Sequence, residues 1–419
     1  MVWLLACTAP DDDVRLKPPR DGDPADDTGT LPTDDTGEPP AAATWTLLVF
    51  MNGDNDLEEY VAHDLNELEQ VGSQAGLTVL VQADRIDGYD DSDGDWTGTR
   101  RYTIAGDDDE ATVSSPYEEL GELDMGDSAV LADFLAWGWE TAPADHVAVV
   151  LWNHGDGWSI VADRPPGPAE MISSDDTSGN HLSIAEGELA DGLAGLWDAR
   201  GAGIDVIGFD ACNMASWEVA HALSYWGDYM VAAETWVGGE GLQYEQTQEA
   251  MLAGAPPAEV ADEMARTAVE IGEELTYGAV DLGRMDALAG ALDALADAAL
   301  ADPAALPMLL AYRDEARGVD FDYEDWYLDV ADLGVVVAAG EHAEMAAAAS
   351  PIAGLVDDAM VGVYATGPWT WTGGLATFFD LTDAGILYDY SFGSGATWSH
   401  QTRWDELLAA LAGVEHTDE

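Results

Sequence analysis

Short apolar runs alternate with amphipathic helical patterns along most of the chain, and this alternation constrains the possible folds more than any other feature. The runs that predict strands lie at 45–51, 77–83, 146–152, 204–209 and 229–234. Strands that follow one another through helices pair in parallel, with helices on both faces of the sheet. We therefore predict an α/β fold with a mainly parallel central sheet. A further run, at 99–104, is expected to be an edge strand of that sheet.

Residues 8–43 differ in composition from the rest of the chain. From residue 11 onwards they are rich in Pro, Asp, Gly and Thr and hold almost no large apolar side chains. Such a segment buries too little apolar surface to offset the entropy of ordering it, so we predict a disordered acidic linker. The whole chain has 419 residues, 47% of them hydrophobic, which is enough for a substantial core after the linker.

The chain is strongly acidic, with 83 acidic and 13 basic residues and a formal net charge of −70. This charge repels phosphate backbones and anionic lipid surfaces, so it argues against nucleic-acid binding and favours cationic ligands. A high-salt habitat or a composition bias would explain the same surface. Charge alone therefore identifies no activity.

Cys7 ends the apolar segment Met-Val-Trp-Leu-Leu-Ala-Cys, and polar sequence follows it. A small residue before such a cysteine resembles the lipobox of bacterial lipoproteins, in which the cysteine is acylated and becomes the mature N-terminus. The resemblance implies a lipoprotein signal and anchor at 1–7, shorter than a full signal peptide. A chance apolar start is the alternative.

Functional side chains of parallel sheets follow the carboxyl ends of the strands. The run that ends at Trp152 continues into Asn-His154-Gly155, and the run that ends at Phe209 continues into Asp-Ala-Cys212. A histidine and a cysteine thus leave the same edge of the sheet, from strands that we expect to be adjacent. Together they can act as base and nucleophile.

The surroundings of both residues allow a catalytic and a structural interpretation. Cys212 precedes a predicted helix at 214–223, whose dipole would favour the thiolate, and the N–H groups of Gly155 and Cys212 can form an oxyanion hole. Alternatively, Cys212 is a small buried apolar side chain and His154 hydrogen-bonds to local backbone. The joint placement of His154 and Cys212 favours the catalytic interpretation.

The histidine lies 58 residues before the cysteine, an order close to that of caspases. Asn153-His154-Gly155 and Phe-Asp-Ala-Cys212-Asn-Met resemble the motifs of the clostripain family of cysteine peptidases. The segments at 48–57, 96–102 and 233–244 are similar to that family too. The resemblance covers about residues 44–413.

The resemblance implies a caspase-like α/β/α sandwich and hydrolysis of peptide bonds after Arg or Lys through a thioester acyl-enzyme. It makes Cys212 the nucleophile, His154 the general base and acid, and the amides of Gly155 and Cys212 the oxyanion donors. Asp210 would bind the basic side chain in the S1 pocket, with a helix N-cap as its alternative role. Glu234 is a further candidate for substrate binding. The sequence identifies no third residue that orients His154, as in a Cys–His dyad.

The resemblance also defines the expected organisation of the chain. We assign 44–254 to a caspase-like catalytic domain and 255–419 to a helical and mixed α+β region that completes the peptidase. We expect a monomer that cleaves polypeptides with basic residues and is anchored to a lipid bilayer by an N-terminal acyl group. Its expected location is extracytoplasmic, in the bacterial cell envelope or at the cell surface.

We expect no required cofactor, and the family resemblance makes calcium a candidate ligand. The loop at 84–98 carries six aspartates, but Gly94 does not fall where an EF-hand loop needs its glycine. The composition of this loop therefore favours a solvated acidic turn.

Two other functions are left open by the sequence. A surface-anchored binding protein could use an acidic face for cationic ligands or calcium without turnover, although the intact His154 and Cys212 argue against it. A peptide-ligating or amide-transferring enzyme could use the same thioester.

Overall fold

The structure is a computed structural model of the chain and describes residues 44–109, 111–158, 172–271, 274–319, 327–381, 384–393 and 395–414. The predicted anchor at 1–7 and linker at 8–43 lie outside these residues. All described residues belong to one unit, Ala42–Glu419.

Strands of the described residues form two sheets. In chain order they are β1 Trp45–Gly53, β2 Leu77–Arg85, β3 Gly98–Thr103, β4 Tyr117–Gly121, β5 His146–Trp152, β6 Ile204–Asp210, β7 Gly227–Ala232, β8 Thr276–Asp281, β9 Tyr327–Asp329, β10 Met360–Ala365 and β11 Ala376–Phe378. The large sheet has the order β10-β8-β7-β6-β5-β1-β2-β3-β4, and β11 pairs with β9 in the small one.

Helices connect the strands and cover both faces of the large sheet. They are α1 Glu58–Glu69, α2 Ser128–Thr141, α3 Glu188–Arg200, α4 Trp217–Leu223, α5 Tyr244–Leu252, α6 Pro257–Ala268, α7 Met285–Ala301, α8 Leu306–Arg313, α9 Val330–Ala338, α10 Ala343–Ala349, α11 Ile352–Ala359, α12 Ala384–Phe392, α13 Thr397–Gln401 and α14 Trp404–Ala412.

The centre of the large sheet is parallel, as predicted. β2, β1, β5, β6 and β7 are neighbours in that order and pair in parallel. The middle residues of these strands are mostly apolar and buried because both faces of the sheet are covered. The predicted adjacency of β5 and β6 is confirmed.

The edges of the large sheet differ from the prediction. The run at 99–104 is not at the edge, because β4 pairs with the outer side of β3 and an ion pair of 2.8 Å joins Arg100 to Glu119. β4 has the sequence Tyr-Glu-Glu-Leu-Gly and is largely exposed, so it shows no apolar alternation. At the other end, β8 and β10 add two antiparallel strands from beyond residue 254.

The large sheet separates two apolar layers. Leu48 and Phe50 of β1 point into a core shared with α2, α3, α4 and the C-terminal helices. Their neighbours Leu47 and Val49 point into the other core, which contains residues of α1, α5 and α6. Because successive strand residues face opposite sides, β1 contributes to both layers of an α/β/α sandwich.

No helix of the described residues combines the length and apolarity needed to cross a membrane.

Candidate active site

The two predicted catalytic segments leave the sheet side by side. In the register of β5 and β6, Trp152 lies opposite Asp210, and the Asn153 N–H donates to the Asp210 carbonyl (3.2 Å). His154 and Cys212 therefore both line one cavity of about 320 Å3 at the carboxyl edge. Gly155 and Asp210 line it as well.

His154 is held by a side chain that the sequence did not identify. Its Nε2 lies 2.7 Å from Oδ1 of Asp56, in the segment between β1 and α1. The His154 side chain is 14% exposed and that of Asp56 is 61% exposed. An ionised carboxylate only accepts hydrogen bonds, so Nε2–H is the donor.

Cys212 lies in a loop rather than at a helix N-terminus, and here the sequence prediction is wrong. Helix α4 begins at Trp217, because Asn213 has a left-handed backbone (φ 55°) and the Ser216 hydroxyl caps the helix by accepting from the Val219 N–H (3.3 Å). The helix dipole is therefore displaced from the sulfur. Instead, Cys212 Sγ contacts the backbone of Val237, whose N–H donates to the sulfur (3.3 Å) and whose carbonyl accepts from the thiol (3.8 Å).

Gly155 is required by the close approach of two backbone segments. A Cβ at this position would overlap the carbonyl oxygen of Cys212 and lie 3.0 Å from both Ala211 Cβ and Met214 Sδ. The backbone of Gly155 is thus packed directly against the residue that carries the thiol.

Asp210 is buried in the cavity wall. Its Oδ1 accepts from the Leu242 N–H (3.0 Å) and its Oδ2 from the Tyr244 hydroxyl (2.9 Å). Burial, and then the charge of Asp64, raises the pKa of Asp210 to about 7. It is not a helix N-cap, since Ser216 has that role for α4.

Two more carboxyl groups lie close to Asp210. Asp64 accepts from the Trp152 indole N–H (2.5 Å), and Glu67 accepts from the Tyr244 N–H (2.7 Å). Burial raises the pKa of Glu67 to about 8, and the charge of Asp64 adds to this effect. Removal from water makes the charged forms costly, so these groups retain protons to a higher pH than exposed carboxyls.

Glu234 is not among the residues that line the cavity, and its role in substrate binding stays a prediction. It is fully buried, accepts from the Thr372 hydroxyl and lies near Asp329. Burial, reinforced by the charge of Asp329, raises its pKa well above the usual range. Glu234 follows β7 in sequence, and its side chain contacts Thr372 in the C-terminal part of the fold.

The acidic loop at 84–98 folds around a guanidinium group. Arg85 is buried, pairs with Glu58 (2.9 Å) and Asp90 (3.1 Å), and donates to the Asp90 and Ser92 carbonyls. Of the six aspartates in the loop, these contacts involve Asp90.

A group of carboxylates that suits a metal ion occurs elsewhere. Oxygens of Asp54, Glu122 and Asp175 lie within 4.8 Å of one another. Asp54 is buried and its Oδ1 accepts from the backbone and hydroxyl of Thr177 (3.1 Å each). Its Oδ2 has no hydrogen-bond partner among the described residues. Such a set of hard oxygen donors fits calcium.

Comparison with known proteins agrees with this geometry. The sequence matches the family model of the clostripain family, peptidase C11, over residues 49–334. Clostripain of Hathewaya histolytica is 25% identical over 233 residues, which are 50% of this chain and 42% of clostripain. The chain thus matches less than half of the length of that curated relative.

Solved structures share the fold. A secreted C11 cysteine protease from Bacteroides thetaiotaomicron, in complex with an irreversible peptide inhibitor, is 20% identical with a TM-score of 0.64, covering 87% of this chain and 99% of that one. An inactive zymogen of a C11 protease from Parabacteroides distasonis is 17% identical with a TM-score of 0.61, covering 88% and 99%.

The α/β/α sandwich, with a histidine and a cysteine at the carboxyl edge of its parallel strands, defines the class of caspase-like cysteine peptidases. Within that class the family match extends over more than half of the sequence. The chain belongs to the clostripain family.

Proposed function

We propose that the chain is an endopeptidase that hydrolyses polypeptides after Arg or Lys. The observation that carries this proposal is the buried carboxyl group of Asp210 in the wall of the cavity that also contains His154 and Cys212. A carboxylate in that position complements a guanidinium or ammonium group. The net charge of −70 would also draw cationic polypeptides to the site.

In the proposed reaction the Cys212 thiolate attacks the scissile carbonyl carbon. His154 then protonates the leaving amine, and a thioester acyl-enzyme forms. Water attacks the thioester while His154 accepts its proton, which frees the carboxylic acid and Cys212. The N–H groups of Gly155 and Cys212 are the proposed oxyanion donors, and the close packing of these two backbone segments supports that assignment.

The test uses the full chain and fluorogenic peptides that end in Arg, Lys, Asp or Asn. We expect turnover of the Arg and Lys peptides and none by Cys212→Ala or His154→Ala. Equal turnover by Cys212→Ala would contradict the proposed nucleophile. Tight binding of the basic peptides with no turnover by the intact chain would favour the binding-protein alternative, and product joined to an added amine would favour a ligase.

We propose calcium as a ligand of Asp54, Glu122 and Asp175. An ion there would offset the repulsion among the three carboxylates and stabilise the segment after β1. Calcium should raise the melting temperature of the full chain. It should also displace bound terbium, which is measured as a loss of terbium luminescence excited through tryptophan. Asp54→Asn should abolish both effects, whereas Asp91→Asn in the acidic loop should keep them. Identical behaviour of the two variants would contradict the assignment.

We propose an extracytoplasmic location, with a lipid anchor at Cys7. The anchor rests on the sequence at 1–7, and two structural relatives are described as secreted proteases. In a bacterial host, an alkyne fatty acid should label the wild-type chain and leave Cys7→Ser unlabelled. Labelling of both, or of neither, would contradict the anchor.

A further inference from the structure

The segment that carries Asp56 is fixed to the rest of the site on several sides. Within it, the Asp54 N–H donates to Asn52 Oδ1 (3.0 Å) and the Leu57 N–H donates to Asn55 Oδ1 (2.9 Å). The Asn55 side-chain amide also donates to the Ser174 carbonyl (2.8 Å). Asp56 is therefore presented by a backbone with little freedom, although its carboxylate is largely exposed.

The contact with Asp56 determines the tautomer and the orientation of the His154 imidazole. Nε2–H donates to the Asp56 carboxylate, so in the neutral ring Nδ1 carries the lone pair that accepts a proton. A fixed hydrogen bond to one nitrogen selects the tautomer and the orientation of the ring. The negative charge of the carboxylate also stabilises the imidazolium form.

We propose that Asp56 is a positioning residue of the active site, which holds the His154 imidazole through Nε2 and so makes Nδ1 the nitrogen that exchanges protons with Cys212 and the leaving group. The inference rests on the proposed peptidase function. It adds a third side chain to the Cys–His pair that the sequence suggested.

Other groups near His154 must be separated from this effect. Asp176 interacts electrostatically with both His154 and Asp56, and Asp156 lines the same cavity as His154 and Cys212. Asp176 is exposed, and its backbone N–H donates to the Asp54 carbonyl (2.8 Å). Asp176→Asn therefore removes one negative charge near His154, as Asp56→Asn does, but it leaves the hydrogen bond between Asp56 and Nε2 in place. It is a matched control for that reason.

Asp56 also lies just before α1, where a carboxylate interacts favourably with the helix dipole, so a purely structural role has to be tested. Thermal unfolding tests that role. If Asp56 acts mainly on α1, Asp56→Asn lowers the melting temperature and leaves the titration of His154 unchanged. If it acts on the imidazole, the titration changes and the melting temperature does not.

The experiment measures the full chain and its Asp56→Asn, Asp56→Glu and Asp176→Asn variants. Peptide turnover is followed against pH, and the His154 imidazole is titrated by NMR with labelled histidine, assigned with His154→Gln. Asp56→Asn should lower kcat about tenfold to a hundredfold with little change in KM, less than the loss of a full general acid–base because Asp56 is exposed. The His154 titration and the alkaline limb of the activity profile should both move to lower pH by up to about one unit.

Asp56→Glu should restore much of the titration shift but less of kcat, since it keeps the charge and changes the reach. Asp176→Asn should move the titration less than Asp56→Asn and keep kcat. Equal effects of Asp56→Asn and Asp176→Asn would overturn the proposal. The NMR titration decides the question even if no peptide is cleaved, so failure of the peptidase function is distinguishable from failure of this inference.

Discussion

Asp210 lines the cavity, and the charge of its carboxyl group depends on pH near neutrality. Burial and the neighbouring Asp64 raise its pKa to about 7. Below that pH the group is neutral and gives up its attraction for a cation. Above that pH the group is a carboxylate that can attract a cation. It also accepts hydrogen bonds from the Leu242 N–H and the Tyr244 hydroxyl.

We predict that selectivity for Arg over an uncharged isostere such as citrulline rises with pH. The ratio of the two kcat/KM values should increase between pH 6 and pH 8, because kcat/KM reports the titration of the free enzyme. In Asp210→Asn the ratio should be low and independent of pH. A wild-type ratio that stays constant over this range would remove Asp210 from substrate recognition.

Gly155 offers a second test at the scale of single residues. We predict that Gly155→Ala lowers kcat/KM about a hundredfold or more, since the new methyl group would displace the backbone beside Cys212 and disturb a proposed oxyanion donor. The matched control is Gly290→Ala on α7, where a Cβ would meet nothing within 4 Å. Near-normal activity of Gly155→Ala would argue against the oxyanion role.

At the scale of elements, the approach to Cys212 shows how a short loop changes the chemistry expected from the sequence. The pattern at 214–223 predicts a helix directly after the cysteine, but Asn213 turns the chain and α4 starts only at Trp217. Apolar spacing does not reveal a left-handed residue. The donor to the sulfur comes from Val237, a residue far along the chain.

Glu218 of α4 connects that helix to the C-terminal region. Its Oε1 accepts from the Thr377 hydroxyl, the Phe378 N–H and the Tyr390 hydroxyl, each at 3.0 Å. Burial raises its pKa to about 7. One side chain on α4 thus joins β11 and α12 to the helix that follows Cys212.

We predict that Glu218→Ala lowers the free energy of unfolding by about 3 kcal/mol, because it leaves several buried donors without an acceptor. Glu218→Gln keeps an acceptor oxygen and should cost clearly less. Urea unfolding followed by tryptophan fluorescence measures both. Equal losses in the two variants would show that packing volume, not hydrogen bonding, makes the connection.

At the scale of the whole molecule, the net negative charge and the buried carboxyl groups both make the folded state less stable as the pH rises. Burial raises the pKa of Glu218 to about 7 and that of Asp84 and Glu67 to about 8. Such groups bind more protons in the folded than in the unfolded chain between pH 4 and their folded pKa values, so stability falls as pH rises through that interval. His63 adds to the trend, since its contact with Asp64 raises its pKa to about 9.

We predict that the melting temperature falls from pH 6.5 to pH 8.5 and rises again when sodium chloride is added at pH 8.5. Above pH 6.5 the opposing contributions of His181 and His221, whose pKa values burial lowers, are largely complete because little of the unfolded imidazole still titrates. Salt screens the repulsion of a chain with a net charge of −70. Differential scanning calorimetry measures both effects, and a melting temperature that increases with pH would contradict the argument.

The sequence by itself determined the parallel centre of the fold and the position of three residues that line the candidate site. Strands buried on both faces are continuous apolar runs, and the residues that follow them meet at one edge, so His154 and Cys212 could be brought together from sequence alone. Asp210 follows from the same rule.

Only the tertiary structure decided the contacts between distant segments. Asp56 and His154 are 98 residues apart, and Glu234 lies beside Thr372, which comes 138 residues later. The pairing of the exposed strand β4 and of the antiparallel strands β8 and β10 was also decided only by the tertiary structure. The hydrophobic periodicity of one segment does not predict which side chains of two distant segments will face each other, because that depends on how the elements pack.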